Sequence, residues 1–298
     1  MSSDRSVGLV AWWHRVAGHF SRRDLFEALL VAGGFLAYFA VRGAVVDRPE
    51  AAYFNALEII DLQRRLGFFW EDDLHRWAIQ DLFVVQTFNI IYFWLHFPLI
   101  IAFGIWCYYF RRERYTLLRD AFLASGALAL IVYWVHPVAP PRLLPELAAQ
   151  FDPSPPPYVA QFVDTMQVYL GYAYQTQETT AFVNPYAAMP SLHFGWDLLL
   201  GMGIIWVFWE TPLRWLAVPV GIFLPASQVF AITITANHYF LDAAAGAAVS
   251  LLGIPVALGM RRLAYPWLGS MVARLPWPSL RRLLLPGPPA PTASKRGR

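Results

Sequence analysis

Charge is what this chain has least of. Asp, Glu, Lys and Arg make up 14% of its 298 residues, against about 25% in an ordinary soluble domain. Water is therefore not the solvent for most of its surface. Cysteine is nearly absent too. Cys107 stands alone, so no disulfide can form within the chain and the thiol says nothing about redox compartment. Internal repeats and a linker to a soluble domain are also missing, and the length suits one membrane domain of several helices.

What fills the chain is apolar and aromatic. Hydrophobic residues reach 57%, with 13 Trp, 14 Tyr and 22 Phe, and the mean hydropathy is +0.42. Such an aromatic excess suits belts at both membrane interfaces. The net charge of +3 does not point to nucleic acid, because the basic residues lie beside apolar runs, where anionic lipid headgroups are the natural partner.

Apolar runs of roughly 20 residues mark spanning helices, and they predict six: 25–46, 82–110, 118–137, 190–209, 213–235 and 239–260. The run 82–110 is the least uniform, interrupted by Gln86, Asn89, His96 and Pro98. The first run is too long for a cleavable signal and lacks a convincing cleavage site. Orientation follows from Lys and Arg, which concentrate on the cytoplasmic side. The N-terminal segment, the turn at 111–119, Arg214 and the tail together hold 17 of the 23. Both termini are thus expected in the cytoplasm.

The fold expected is an all-α integral membrane protein of the plasma or inner membrane. It comprises a cytoplasmic segment 1–24, a six-helix catalytic domain 25–262 and a basic, Pro-rich cytoplasmic tail 263–298 whose end is disordered. Segment 47–81 mixes charges with aromatic and aliphatic residues and reads as short interfacial helices on the outer face. The outer loop 138–189 has the length of a lid or binding loop.

Ionisable groups inside a membrane bundle are costly and mark function by default. On this topology several reach one outer surface. Arg142 lies in HPVAPPRLLP beyond the third span, Ser191 and His193 in AMPSLHFGWD at the fourth, and His238 and Asp242 in NHYFLDAAAG at the sixth. Four residues apart, His238 and Asp242 would share a helix face. A carboxylate on one imidazole nitrogen fixes the tautomer and leaves the other as nucleophile or base. Small residues from Ala243 to Ala248 permit close approach of a neighbouring helix. Pro190 fits a first helical position, and the amides of Ser191 and Leu192 would then face outward as a phosphate seat. Arg142 would clamp phosphate bidentately. Outside this set, His14, His19, His75 and His96 read as interfacial, while His136 and Asp197 have no assigned role.

A different chemistry also fits the spacing. His193 with Asp197 and His238 with Asp242 form two His-x-x-x-Asp pairs that could enclose zinc, as in a divalent-cation transporter. Against it, these histidines lie at the outer rim, transport sites lie near the midplane, and an Arg beside a cation site is repulsive. A catalytically dead lipid-binding scaffold is a third reading.

APPR, PSLH and HYFLD resemble the three signature segments of the type 2 phosphatidic acid phosphatase superfamily. The likeness is strongest to its inositolphosphotransferase branch, which includes the inositol phosphorylceramide synthases, and covers roughly 130–245. The resemblance implies that His238 is the nucleophile of a phosphohistidine intermediate oriented by Asp242. It implies that His193 protonates the leaving group and then activates the acceptor, and that Arg142 and Ser191 hold phosphate oxygens. No metal or cofactor is then required. The implied partners are a lipid phosphate and an alcohol or water acceptor, the enzyme working alone or as a homo-oligomer. Two features depart from the lipid-phosphatase pattern. Val135 stands where that form has a Lys, and Ala231 and Ile232 stand where a Ser-Arg pair is usual. Fewer cations suit a phosphodiester better than a phosphomonoester.

Overall fold

A computed structural model of the chain describes residues 22–44, 48–170, 185–274 and 276. The expected N-terminal segment up to residue 21, with His14 and His19, lies outside the described residues, as do 171–184 of the expected outer loop and 277–298 of the tail.

Twelve α-helices run through the described residues: α1 Arg22–Ala44, α2 Pro49–Arg65, α3 Glu71–Ala78, α4 Leu82–Trp94, α5 Phe97–Phe110, α6 Arg112–Val135, α7 Leu144–Phe151, α8 Thr165–Leu170, α9 Leu192–Phe208, α10 Arg214–Ile234, α11 Phe240–Gly259 and α12 Tyr265–Ala273. Extended pairing among these residues is confined to one bridge between Val138 and Ala187. Four stretches are long and apolar enough to cross a membrane: Leu82–Phe110, Arg112–Val135, Arg214–Ile234 and Phe240–Ala273. Helix α9 is equally apolar but has 17 residues. The chain is an all-α integral membrane protein.

Contacts divide the chain into two units. The smaller, Met1–Gly34 with Gly259–Arg298, contains the first half of α1, a π-helical turn at Met260–Ala264 and α12. The larger, Phe35–Leu258, holds every candidate site residue.

Local chemistry explains the breaks that shape this larger unit. The apolar run expected as one span is two helices. Asp81 caps α4, its Oδ1 accepting from the Phe83 amide at 2.9 Å, a side-chain cap for an orphan helix N–H. Pro98 has no N–H to continue the ladder, so α5 restarts at Phe97 and His96 sits between the two helices with non-helical angles. Helices α9 and α10 cross almost backbone to backbone, since a Cβ on Gly201 would lie 2.1 Å from the Gly221 carbonyl oxygen. On α11, a Cβ on Gly253 would lie 2.6 Å from the Ala121 carbonyl oxygen of α6. Small residues do here what close packing between membrane helices needs.

The segment before α4 is amphipathic. Helix α2 buries Ala52, Tyr53, Ala56, Ile59, Ile60 and Gln63 at helical spacing, while Asp61 and Arg65 pair on its exposed side. Its apolar face joins Leu144, Leu147 and Ala148 of α7, Val159, Phe162, Ala188 and Tyr239 in one cluster. Helix α3 opens on Glu71, Asp72 and Asp73, which complements the positive end of its dipole.

Candidate active site

Three stretches far apart in sequence are laced together by their backbones. Val138 donates to Tyr186 (2.8 Å), and Ala188 donates back to Val138 (3.1 Å). The Arg142 amide donates to Ala236 (2.9 Å), and the Ser191 amide to the Asp242 carbonyl (2.9 Å). Two tyrosines close the lattice: Tyr239 hydroxyl donates to Ala139 (3.1 Å) and Tyr133 hydroxyl to Pro190 (2.8 Å). The segments carrying APPR, PSLH and HYFLD are thus one connected body. Ala236, at φ 55°, takes the left-handed conformation at a cost of about 1–2 kcal/mol for a residue with a Cβ, and its carbonyl is the one that receives Arg142.

His238 itself does not lie on a helix. It precedes α11, and its imidazole points back to the PSLH segment. Nδ1 lies 2.8 Å from the Ala188 carbonyl oxygen and 3.4 Å from Asp242 Oδ2. Both neighbours accept, so Nδ1 carries a hydrogen, and in the neutral imidazole Nε2 is then the nitrogen with the lone pair. Asp242 is fully buried and has a second task, since its Oδ2 accepts from the Tyr239 amide at 2.8 Å in the first turn of α11. The tautomer is therefore set by a backbone carbonyl as well as by the carboxylate.

The head of α9 differs from expectation. Helix α9 begins at Leu192, with Ser191 as its N-cap and Pro190 before it; Ser191 Oγ accepts from Phe194 N at 3.4 Å. The Ser191 amide is committed to Asp242 and does not face outward. A Cβ on Gly246 would stand 2.0 Å from the Ser191 carbonyl oxygen, so α11 is pressed against the head of α9. That approach sets His193 beside His238, with ring centroids 5.7 Å apart and planes inclined at 52°.

His193 is boxed by rings. Tyr92 stacks on it at 4.3 Å and 23°, His96 lies 4.6 Å away and Phe97 6.2 Å. His96 is buried rather than interfacial, and Nδ1 donates to Asp197 Oδ1 at 2.6 Å. Arg142 is half-buried beside the loop that leads to His238. Its Nε donates to Asn237 Oδ1 at 2.9 Å and its Nη1 to Asp164 Oδ2 at 2.7 Å, so part of the guanidinium fork is already engaged by protein. His136 ends α6, half-buried.

The zinc reading needs His193, Asp197, His238 and Asp242 to converge on one point. Asp197 is turned to His96 instead, and Asp242 Oδ2 is held by a backbone amide.

A second buried layer supports the loop from behind. Glu71 Oε1 accepts from Phe240 N at 2.8 Å and from the Gln63 side chain. His75, also expected at an interface, is fully buried: Nδ1 donates to the Ile234 carbonyl (2.7 Å), and Nε2 accepts from Val163 N (3.1 Å). Burial pushes the Glu71 carboxyl above its ordinary range, partly relieved by those two bonds. Burial likewise lowers the His75 imidazole.

The sequence profile described as PAP2 superfamily matches residues 57–256, which include every residue of this site. The chain belongs to the PAP2 superfamily. Among curated proteins, the PAP2 chain is 30% identical over 186 residues to a phosphoinositol dihydroceramide synthase of Bacteroides thetaiotaomicron. That match covers 60% of this chain and 56% of the relative, so little more than half of the synthase is represented here. No solved structure matches the chain.

Proposed function

We propose that this PAP2 enzyme transfers a phosphoryl-linked headgroup from a lipid phosphodiester to an alcohol through a phosphohistidine on His238. The observation that carries this reading is the facing pair of imidazoles, 5.7 Å apart, one of which has its Nδ1 hydrogen held by Ala188 and Asp242. In the first step Nε2 of His238 attacks phosphorus. The bond to the leaving alcohol breaks, and His193 gives that oxygen its proton. In the second step the acceptor hydroxyl returns a proton to His193 and its oxygen bonds phosphorus, while the P–N bond breaks and His238 is restored. Splitting one displacement into two is the gain of covalent catalysis, and each proton transfer contributes about 10²–10⁴ in rate.

Arg142 and the head of α9 at Ser191 would hold the non-bridging oxygens. The positive end of the α9 dipole favours an anion there. Asp164 offsets part of the Arg142 charge, and Val135, Ala231 and Ile232 replace polar or cationic positions. All of this suits a singly charged diester over a doubly charged monoester. The activity for which the Bacteroides relative is named, synthesis of a phosphoinositol dihydroceramide, supports transfer over hydrolysis.

In this reading α1 and α9 complete a six-span catalytic domain at 25–262, between the cytoplasmic segment 1–24 and tail 263–298. Helices α2 and α3 lie on the outer interface, and lipids reach the site laterally. Arg114, which bonds the Trp206 carbonyl, and Arg214 mark the end of the bundle opposite to His238. The excess of Lys and Arg at that end supports a cytoplasmic position for it and an extracytoplasmic one for the active site. Purified protein given phosphorus-labelled phosphatidylinositol and phosphatidate, with lipid-alcohol and polyol acceptors, tests the function. Label moved from the diester to an acceptor by wild type but not by His238→Ala supports transfer; free phosphate from phosphatidate alone would make it a phosphatase.

A further inference from the structure

The mechanism above leaves one costly feature unused. His96 and Asp197 are each only 1% exposed, come from positions 101 residues apart and share a 2.6 Å hydrogen bond. An apolar pair of similar volume would join the α4–α5 break to α9 at least as well, because desolvating a His and a carboxylate outweighs much of their attraction. Buried ionisable groups in a membrane bundle are kept where they serve function.

Their placement says what they serve. Asp197 lies one turn along α9 from His193 but bonds His96. The His96 ring in turn lies 4.6 Å from the His193 ring at 36°. Trp196 backs His96 at 6.1 Å, nearly parallel at 13°, and itself donates to Ser125 Oγ at 3.0 Å. His96 thus has a fixed ring plane, and that plane and the Tyr92 ring together fix His193. The titratable groups meeting this face, among the described residues, are Tyr92 of α4, His96 of the break, Asp197 of α9 itself, and His238 with Asp242 at the head of α11. Tyr133 of α6 reaches the Pro190 carbonyl nearby.

We infer that His96 and Asp197 form a second histidine–carboxylate pair that positions His193 and places a carboxylate charge behind its proton exchange. They are positioning residues and do not touch substrate. The inference rests on His193 being the acid and base of the proposed reaction. An imidazole backed by a carboxylate holds its proton more firmly, which suits a group that must first give a proton to a leaving alcohol.

The test is the pH dependence of kcat for His193-dependent turnover in wild type, Asp197→Asn, Asp197→Glu and His96→Asn. Asp197→Asn removes the charge, so both limbs of the profile are expected to move to lower pH by about one unit. Asp197→Glu restores the wild-type limbs. His96→Asn leaves the carboxylate charged and removes the imidazole that shares it, so its limbs move to higher pH. A pair that merely ties helices together would lower the amount of active protein and leave the limbs in place. Superimposable profiles in the Asp197→Asn and wild-type proteins overturn the inference. Should Asp197→Asn not survive purification, superimposable His96→Asn and wild-type profiles do the same. Failure of the underlying mechanism is read separately, as undiminished turnover in His193→Ala.

Discussion

The contact between Gly246 and the head of α9 is the tightest constraint on the site, and replacing Gly246 by Ala probes it with one methyl group. That Cβ would lie 2.0 Å from the Ser191 carbonyl oxygen and 2.8 Å from its carbon. Ordinary contact begins at 3.4 Å, so α9 and α11 must part there by more than an ångström. The obstruction is backbone and cannot rotate away. Ser191 is the N-cap two residues before His193, while Gly246 lies on α11, which His238 shortly precedes, so the displacement falls on the separation of the two imidazoles. A misplacement of about 1 Å costs on the order of 10² in rate, or about 2.7 kcal/mol of barrier. The overpacking itself costs about 1–3 kcal/mol of stability. The assay is kcat with the labelled diester alongside thermal unfolding in the same detergent. Gly104→Ala is the control, since a Cβ there meets nothing within 4 Å, and it is expected to be neutral in both. A Gly246→Ala protein that turns over within twofold of wild type would refute the argument that this crossing sets the geometry of the site.

Other perturbations follow from the same contacts. Asp242→Asn is expected to retain more turnover than His238→Ala, because Ala188 still holds the Nδ1 hydrogen at 2.8 Å; equal loss in the two, measured as kcat, would make Asp242 more than an orienting group. Asp164→Asn removes one carboxylate from Arg142 and should raise the turnover of a phosphomonoester relative to a diester by about tenfold, an effect of about 1.4 kcal/mol, and an unchanged ratio argues against Arg142 as the phosphate clamp. Glu71, raised by burial, contributes stability that is complete below its unfolded value and lost as pH rises through its folded one. Glu71→Gln mimics the protonated acid, so its unfolding temperature should be flatter with pH above the usual carboxylate range than that of wild type; a parallel curve would contradict this. His75, lowered by burial, has the opposite sign. It favours the fold above its unfolded value of about 6.5 and loses that contribution as pH falls, so His75→Gln should lessen acid lability, while an unchanged acid transition would count against the neutral tautomer assigned to it.

Much of this candidate site is visible in sequence because each proposed catalytic group is announced by its neighbours. Pro190 and Ser191 precede a long apolar run, small residues follow Asp242, and Arg142 sits among prolines at a span's end. The connections between those groups are less legible. Ala188 acts through a backbone carbonyl, which no residue type signals. His96 looks like an interruption in an apolar run, and its partner is a distant Asp197 whose spacing suggests a bond to His193 instead. Glu71 and His75 hide in a short charged segment where one face is solvated and the other is not. The break at His96 is legible in hindsight from Pro98, but its purpose depends on which ring it presents to α9, and only tertiary packing decides that.

The most direct test of the central claim is chemical. Wild-type enzyme would be given labelled diester without acceptor, quenched in alkali within a turnover, and digested for the peptide bearing the label. A phosphoramidate on His238, stable to alkali, labile to acid, discharged by acceptor and absent from His238→Ala, is the predicted result. Turnover that proceeds with no protein-bound label, or with label still bound in His238→Ala, would contradict it.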